Sequence, residues 1–388
     1  MRFRPFGKTG FQVSSLSFGC MRLPTRSTGE INEDEAAEML HYAIEHEVNY
    51  LDTAYPYHGG NSELFLGRAL KGGYRQQVKL ATKMPVWKVT AAADFDTFLN
   101  EQLQKLQTDH IDFYLLHGLG KTRWEFVQKL GVTDWAEKAI ADGRIGSLGF
   151  SFHDNVAALK AIVDGYDHWA MCQVQYNYMN ETEQAGTEGV RYAAARGLAV
   201  VVMEPLLGGL LVNPPLSVQQ IWDTAGTRRG AVEWAMQWLW NQPEVSTVLS
   251  GMSSMAQMVE NVANASRAAL GALTPAELQL FPRVQKAYKA LNPVPCTSCR
   301  YCMPCPNGVD IPRNFAMLND GIMYDKLEAS RRGYHLIPRD HTEAILASSC
   351  IGCCECESKC PQAIPISKWM PYIHEVLGEG KPYQGAPA

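Results

Sequence analysis

The sequence predicts an α/β fold in which a (β/α)8 TIM barrel is followed by a smaller, mainly α-helical domain. Eight apolar, strand-like runs alternate with segments of helical periodicity over the first 265 of the 388 residues. No G-x-G-x-x-G turn follows the first run, so a doubly wound sheet is the less favoured alternative. Nine of the eleven cysteines lie in two short windows near the C-terminus, which marks that region as a separate domain.

The predicted strands follow a short hairpin pattern at 3–19. Between them, stretches such as 32–46 and 92–106 carry apolar residues at three- and four-residue spacing, as helices that pack on a sheet do. Several of these stretches begin with acidic, Asn or Thr residues that can cap a helix. The eight predicted strands are 15–20, 48–54, 78–83, 111–117, 145–151, 170–176, 198–203 and 246–250.

Composition narrows the classes of function. A formal net charge of -5 at pH 7 and a pI near 6.1 provide no basic surface for nucleic acid. No run of about 18 apolar residues is found, and the N-terminus has no apolar core of a signal peptide. With cysteines clustered as metal ligands, these features predict a cytoplasmic protein that handles a small molecule or a protein partner.

Ionisable residues lie at or just after the ends of three successive predicted strands: Asp52 and Tyr57, then Lys83, then His117. Barrels of this kind gather their chemistry at the carboxyl ends of the strands. Carbonyl reduction needs a proton for the oxygen, and a tyrosine with a pKa of about 10 is a reluctant donor. An ammonium at Lys83, held by Asp52, would lower the pKa of Tyr57, and His117 would orient the oxygen. Each residue alone suits a structural role equally well, whereas the ordered set favours catalysis.

This ordered set, together with the opening GKTGFQVSSLSFG, resembles the aldo-keto reductase family over residues 1–265. The resemblance implies an oxidoreductase that reduces a carbonyl, or oxidises an alcohol, with NAD(P)H. It implies Asp52, Tyr57, Lys83 and His117 as the catalytic tetrad.

The resemblance also implies a nucleotide site on strands 5 to 8. Ser151 and Gln173 stand where the family binds the carboxamide of nicotinamide. A short polar loop before a helix offers free N–H groups to phosphate, although an ordinary helix cap is the alternative at 251–254. The other expected cofactor contacts are Met21, Met203, Leu206, Gly208, Gly251, Ser253, Ser254, Gln257, Glu260 and Asn261.

Three departures from the family pattern bear on the cofactor. Phe152 replaces an asparagine, Met203 replaces the aromatic residue that stacks on nicotinamide, and Gln257 replaces an arginine. No Lys or Arg lies within 251–261. A 2′-phosphate without a cation is poorly bound, so we expect NADH slightly more than NADPH, with a flavin as another planar cofactor to consider.

The second cysteine window, 350–361, has the C-x2-C-x2-C-x3-C-P spacing of bacterial ferredoxins. The first, 296–306, has one residue fewer before its last cysteine. In two-cluster ferredoxins the fourth cysteine of each run binds the other cluster. The expected ligands of two [4Fe-4S] clusters are therefore Cys296, Cys299, Cys302 and Cys360 for one, and Cys350, Cys353, Cys356 and Cys305 for the other. Cys354 is a rival for Cys305, and zinc is the rival metal.

The segments 311–321 and 324–336 between the windows have helical patterns, which resembles α-helical dicluster ferredoxin domains. The predicted boundaries are a barrel at 1–265, a helical linker at 266–292, the dicluster domain at 293–375 and a flexible tail at 376–388.

Joining the two halves leaves several functions open. Nicotinamide moves electrons in pairs and a cluster moves them singly, so an intermediary such as a flavin is needed between them. The barrel could work with an electron-transfer protein partner, or use flavin instead of nicotinamide with the clusters as a relay. The clusters could instead be structural, or sense oxygen or iron, while the barrel works as an ordinary reductase. A regulatory barrel without turnover, whose clusters report redox state, is a further alternative.

Overall fold

The computed structural model describes residues 1–337 and 342–387 of the chain. They form two compact units, one of Met1–Gly209 with Arg229–Pro275 and one of Leu210–Arg228 with Ala276–Ala388. The predicted boundaries kept 210–228 within the barrel. This segment belongs to the second unit because an apolar helix in it packs there, with the ring centroid of Trp222 5.1 Å from that of Phe281. Residues 338–341 of the predicted dicluster domain and residue 388 of the predicted tail lie outside the described residues.

The first unit holds a closed barrel of eight parallel strands, which confirms the predicted fold. The barrel closes because the last strand pairs with both the first barrel strand and its own predecessor. A separate antiparallel hairpin, β1 (Phe3–Pro5) and β2 (Gln12–Ser14), precedes it. The barrel strands are β3 (Leu16–Gly19), β4 (Tyr50–Asp52), β5 (Lys79–Met84), β6 (Ile111–Leu119), β7 (Ile145–Phe152), β8 (Met171–Gln175), β9 (Ala199–Met203) and β10 (Val245–Gly251).

The helices of this unit have the predicted three- and four-residue spacing of apolar side chains. The first, for example, has acidic residues in its first turn, where they favour the positive end of the helix dipole, and buries one face at three- and four-residue spacing. The helices are α1 (Glu33–Glu45), α2 (Asn61–Ala69), α3 (Ala93–Leu106), α4 (Lys121–Lys129), α5 (Val132–Ala141), α6 (Val156–Asp164), α7 (Gly186–Ala195), α9 (Ala231–Trp240) and α10 (Met255–Ser266).

An apolar cluster fills part of the barrel. It includes Ala81, Leu115 and Val201 from separate strands, and Phe6 and Val13 from the N-terminal hairpin region pack into it. Every second residue of a strand points to the same side, so this cluster fixes which strand residues face inward.

The second unit is mainly helical, as predicted. Its core consists of apolar side chains from several helices, among them Phe315, Leu318, Trp369 and Met370, and six of the clustered cysteines pack against it. The helices are α8 (Leu216–Trp222), α11 (Pro275–Leu278), α12 (Leu280–Lys289), α13 (Ile311–Met323), α14 (Leu327–Tyr334) and α15 (Ile366–Ile373).

The end of the chain is more ordered than the predicted flexible tail at 376–388. A π-helical turn, His374–Gly378, continues α15, and Val376 and Leu377 are buried because they extend its apolar face. Farther on, the N–H of Gln384 donates to the hydroxyl of Tyr372 at 2.7 Å. None of the helices described is long and apolar enough to cross a membrane.

Candidate active site and cysteine cavities

Polar residues follow the apolar cluster along the inward face of the barrel strands. Lys83 comes two residues after Ala81 on β5, so it shares the inward direction of a core residue, and His117 follows the core residue Leu115 near the end of β6. Asp52 is the last residue of β4. The strand register therefore gathers the charged residues at the carboxyl end of the barrel.

Lys83 is the centre of the predicted tetrad. Its Nζ donates to Asp52 Oδ1 at 2.5 Å, to the carbonyl of Thr53 at 2.7 Å and to the hydroxyl of Tyr57 at 3.3 Å. Lys83 and Asp52 are each 1% exposed. Three acceptors thus satisfy the three protons of a buried ammonium.

The Lys83 charge acts on Tyr57 less strongly than predicted. Burial by itself would lower the pKa of Lys83, but Asp52 and Tyr57 raise it above its usual value. Burial raises the pKa of Tyr57, and Lys83 offsets only part of that rise. The predicted net lowering of the Tyr57 pKa is therefore wrong, because desolvation of a phenolate outweighs one ammonium. Tyr57 is a neutral phenol with a proton to donate.

His117 lies at a β-bulge. The pairing of β6 with β7 shifts between Leu116 and Leu119, so β6 has one extra residue there. Gly118 has a φ of 64°, and its N–H donates to Ser151 Oγ at 2.7 Å. Bulges redirect side chains beside functional sites, and this one sets the direction of His117.

The imidazole of His117 contacts two aromatic rings. Its centroid lies 6.1 Å from that of Tyr57 and 5.0 Å from that of Trp87. Burial lowers the pKa of His117 well below its usual value, and the charges of Lys83 and Arg123 act in the same direction. Its Nδ1 is buried with no hydrogen-bond partner in the part of the chain that the structure describes. A neutral imidazole with an unused nitrogen suits hydrogen bonding to a substrate oxygen.

Gln173 and Ser151 present complementary groups. Gln173 opposes the rise in the pKa of Asp52 that burial causes, and its own Oε1 is buried without a partner among residues 1–337 and 342–387. Ser151 Oγ accepts from Gly118, which leaves its own proton to donate. One acceptor and one donor match the two halves of a carboxamide. Phe152, a departure from the family pattern, is fully buried.

The loop after β9 carries three predicted cofactor residues. Met203 and Leu206 are half-buried, and Gly208 is exposed with a φ of 66°. The loop turns sharply at Glu204, which has a φ of 55°, and Asn177 Nδ2 donates to the Glu204 carbonyl at 3.2 Å.

The loop before α10 is a helix cap. Ser254 Oγ accepts the N–H of Gln257 at 3.4 Å, and Gln257 Oε1 accepts the N–H of Ser253 at 2.9 Å, close to a capping box. Buried Asn261 donates to Ser250 Oγ at 3.2 Å and ties α10 to the end of β10. The side chains of Gln257 and Asn261 are therefore engaged within the protein.

Sequence reasoning missed a cation at this loop. Arg22, in the loop after β3, lies so close to Gly251 that a Cβ at position 251 would be 2.8 Å from Arg22 Cγ. Its neighbour Met21 is 54% exposed, and Glu260 is also exposed. Arg22 lies far from 251–261 in the sequence, and the barrel closure brings the two together by pairing β3 with β10.

A buried polar network behind Lys83 was also missed. Glu63 is fully buried, and its Oε1 accepts from Thr82 Oγ1 at 2.6 Å and from Gln102 Nε2 at 2.5 Å. Gln102 also donates to the carbonyl of Lys83 at 3.1 Å and accepts from the hydroxyl of Tyr114 at 2.6 Å. The network holds the backbone of β5 where Lys83 emerges. The sequence signal for this network was Glu63, a charged residue that lies in α2 close to the apolar pair Phe65 and Leu66.

Two buried asparagines of α13 anchor the cysteine windows. Asn319 accepts the N–H of Val294 at 3.0 Å and donates to its carbonyl at 2.8 Å, just before the first window. Asn314 donates to the carbonyl of Ile345 and accepts the N–H of Ala347, at 2.8 and 3.0 Å, just before the second. One helix thereby sets the starting point of both windows.

The first cavity contains cysteines from both windows. It is lined by Cys296, Cys299, Cys302 and Cys360, together with apolar residues such as Phe315. Burial raises the pKa of Cys296, and the neighbouring thiols Cys299 and Cys360 raise it further. Cys360 therefore lies with the first run.

The second cavity holds the complementary set. Its lining includes Cys350, Cys353, Cys356 and Cys305, and also Cys302 and Cys354. Cys305 packs against the apolar core, whereas Cys354 is exposed and its thiol donates to the carbonyl of Gly352 at 3.3 Å. In both cavities the thiols lie around an open volume. Among the described residues, no three His, Cys, Asp or Glu side chains lie close enough together to bind a single metal ion.

Comparison with known proteins gives two family matches. Residues 15–272 match the model of the aldo/keto reductase family, and residues 295–364 match that of the 4Fe-4S dicluster domain. The first range contains all eight barrel strands, and the second contains both cysteine windows.

Curated relatives are distant. The chain is 26% identical over 208 residues to "Probable aldo-keto reductase 1" of Glycine max, which covers 52% of this chain and 58% of that protein. It is 27% identical over 248 residues to "Uncharacterized oxidoreductase YrpG" of Bacillus subtilis, which covers 59% of this chain and 72% of that protein. The match thus spans little more than half of the soybean protein.

Solved structures match the barrel. The holo form of aldo-keto reductase AKR11C1 from Bacillus halodurans has a TM-score of 0.60 at 28% identity, over 73% of this chain and 96% of that one. An aldo-keto reductase from Klebsiella pneumoniae in complex with NADPH has a TM-score of 0.61 at 22% identity, over 74% and 95%, a likeness of fold.

Proposed function

We propose, because this chain belongs to the aldo/keto reductase family, that it reduces the carbonyl group of a small molecule with NAD(P)H. The observation that carries the proposal is the contact of one buried ammonium, Lys83, with both Asp52 and Tyr57. The dicluster domain at the C-terminus is proposed to bind two [4Fe-4S] clusters that transfer electrons singly.

Tyr57 is proposed as the proton donor. As hydride reaches the carbonyl carbon, the O–H bond of Tyr57 breaks and a new O–H bond forms on the substrate, which becomes an alcohol. Lys83 stabilises the resulting phenolate, and Asp52 keeps Lys83 charged. His117, neutral and with a free ring nitrogen, positions the substrate oxygen. Water then returns the proton to Tyr57.

The nicotinamide, when bound, supplies the hydride. The unpartnered Oε1 of Gln173 and the hydroxyl of Ser151 suit its carboxamide. Met203 and Leu206, half-buried after β9, are proposed to contact the ring and the loop to bind the pyrophosphate. These positions were assigned by resemblance, and their geometry supports a nicotinamide site.

The position of Arg22 removes the reason for preferring NADH to NADPH. The expectation of NADH rested on the absence of Lys and Arg from 251–261, but Arg22 stands against Gly251 at the start of that loop. An arginine fork is well suited to phosphate oxygens. We therefore propose Arg22 as the cation for the phosphates of either dinucleotide.

The two cysteine cavities support two clusters. One is proposed to bind Cys296, Cys299, Cys302 and Cys360, and the other Cys350, Cys353, Cys356 and Cys305. The exchange of the fourth cysteine between runs is the arrangement of two-cluster ferredoxins. Cys305 is preferred to Cys354 because it packs on the apolar core, whereas the Cys354 thiol is exposed.

Coupling of the two halves requires a carrier that accepts electron pairs and releases them singly. We propose a flavin on a protein partner as this carrier, because a cluster cannot take a hydride. An anaerobic titration with NADPH tests this: cluster reduction, followed by electron paramagnetic resonance, is expected only after a free flavin is added. Reduction without flavin would contradict the need for a carrier.

The carbonyl reductase proposal is tested with the Tyr57→Phe variant. Loss of the acid is expected to lower kcat for 4-formylbenzamide about 10²–10⁴-fold, because general acids contribute that much. Tyr55→Phe is the matched control, since the Tyr55 hydroxyl donates to Glu101, on α3. Both variants should keep the visible absorbance of the clusters. Equal turnover in Tyr57→Phe and wild type would contradict the proposal.

A further inference from the structure

A cation without an acidic partner lies next to Trp87, whose ring contacts His117. Arg123, in the first turn of α4, is exposed, and no carboxylate within residues 1–337 and 342–387 forms an ion pair with it. The neighbouring Lys121 differs in this respect, because its Nζ lies 3.9 Å from Glu125 Oε1.

Arg123 is held in place by two contacts. Its Nη1 donates to the carbonyl of Gly118 at 2.7 Å, and its guanidinium lies 6.0 Å from the ring centroid of Trp87. A guanidinium has five N–H donors, so most remain available after the bond to Gly118. The side chain is therefore preorganised and still able to bind a second group.

A continuous row of rings leads from Arg123 to the reacting atoms. Trp87 lies edge-on to His117 with centroids 5.0 Å apart, and His117 lies edge-on to Tyr57 at 6.1 Å. The Arg123 charge is near enough to help lower the pKa of His117, after burial and Lys83. A substrate whose carbonyl meets Tyr57 would extend along Trp87 toward the guanidinium.

We propose that Arg123 binds the carboxylate of the substrate, so that the enzyme prefers oxo acids, aldehydes or ketones that also carry a carboxylate. This inference rests on the proposed carbonyl reduction and specifies its substrate class. A planar guanidinium fork matches the two oxygens of a carboxylate. The apolar ring of Trp87 covers the part of the substrate between its two polar ends.

The competing explanation is structural. By binding the Gly118 carbonyl, Arg123 could do no more than hold the bulge that directs His117. In that case its loss would lower turnover of acidic and neutral substrates equally, through kcat. A substrate-binding role lowers kcat/KM for the acid alone, through KM.

The experiment compares 4-carboxybenzaldehyde with its neutral amide, 4-formylbenzamide, in the holoenzyme. Arg123→Gln is expected to lower kcat/KM for the acid about tenfold and to change that for the amide less than twofold. Lys121→Gln, from the same helix turn, should change neither. Added salt should raise KM for the acid in wild type and not in Arg123→Gln. Equal losses for both substrates, or no loss, would overturn the assignment.

A binding measurement separates this inference from the proposed function. If neither aldehyde is reduced, the carbonyl reductase proposal fails, and calorimetry of the cofactor-bound protein with benzoate still tests Arg123. Benzoate is expected to bind about tenfold more weakly to Arg123→Gln than to wild type. Benzamide should not distinguish the two proteins. Equal benzoate affinity for both would refute the carboxylate site.

Discussion

Cys360, the last cysteine of the second window, lines the same cavity as Cys296, the first cysteine of the first window. The two windows therefore form one structural unit and not two independent loops. Each of the two predicted clusters would therefore take ligands from both windows.

The exchange predicts how pairs of variants combine. Cys296→Ser and Cys360→Ser should each lose about half of the iron, and the double variant should lose no more, because both remove a ligand of one cluster. Cys350→Ser with Cys360→Ser should lose nearly all. Iron and sulfide analysis after anaerobic purification measures this. If Cys360 served its own run, the Cys350 and Cys360 pair would lose only half. Cys354→Ser should retain its iron.

Asn319 is predicted to position the first window. Asn319→Leu leaves the N–H of Val294 unpaired in the core, whereas the Val294 carbonyl keeps its bond from the N–H of Cys296, so the cost should be about 1–3 kcal/mol. Iron analysis should then show loss from the first cavity with the second retained. Asn319→Asp keeps the acceptor and loses the donor, so its defect should be smaller. Full iron content in Asn319→Leu would show that the anchor is dispensable.

Lys83 is predicted to serve both stability and proton transfer. Lys83→Met leaves Asp52 buried without its partner, which should cost about 3–5 kcal/mol and lower kcat at least 10²-fold. Adding Asp52→Asn removes the unpaired charge and should restore the unfolding midpoint but not kcat. The pKa of Tyr57, followed by its ultraviolet absorbance on titration, should rise further in Lys83→Met, because the ammonium offsets the effect of burial. Recovery of kcat in the double variant would contradict this division of roles.

Arg22 is predicted to bind cofactor phosphate. Arg22→Gln should raise the Kd of both NADH and NADPH about tenfold, because both carry a pyrophosphate and a charge-assisted hydrogen bond is lost. If NADPH loses more affinity than NADH, the difference measures the contribution of a contact between Arg22 and the 2′-phosphate. Arg26→Gln, an exposed cation in the same loop, is the control. Quenching of tryptophan fluorescence reports the Kd, and unchanged values would exclude Arg22 from the site.

Glu63 is predicted to make stability depend on pH. Burial raises its pKa, while bonds from Thr82 and Gln102 oppose the rise. A carboxyl with a raised folded-state pKa contributes its full stability below the unfolded value of about 4.3 and loses it as pH rises through the folded value. Glu63→Gln should therefore match wild type near pH 4 and have a higher unfolding midpoint at pH 8. Exposed Glu125→Gln should show no such difference. If the unfolding midpoints of Glu63→Gln and wild type differed by the same amount at all pH values, the proposed titration of Glu63 would be contradicted.

Much of the fold and part of the site follow from local patterns. Alternation of strand and helix periods is repeated eight times, and each repeat depends on residues within one short segment. The same holds for the four predicted tetrad residues, since Asp52, Lys83 and His117 fall at strand ends that the pattern itself defines. The spacing within each cysteine window is equally local.

The remaining features depend on contacts between distant segments. Only the closure of the barrel places Arg22 against Gly251, and only the packing of α2 on α3 places Glu63 beside Gln102. The direction in which the pKa of Tyr57 shifts also required the structure, because it depends on the burial of Tyr57 as well as on the charge of Lys83. The sequence by itself determined the types and order of the reactive residues, because periodicity and spacing are local. The tertiary structure decided their partners and protonation, because desolvation and long-range contacts arise only when the chain is folded.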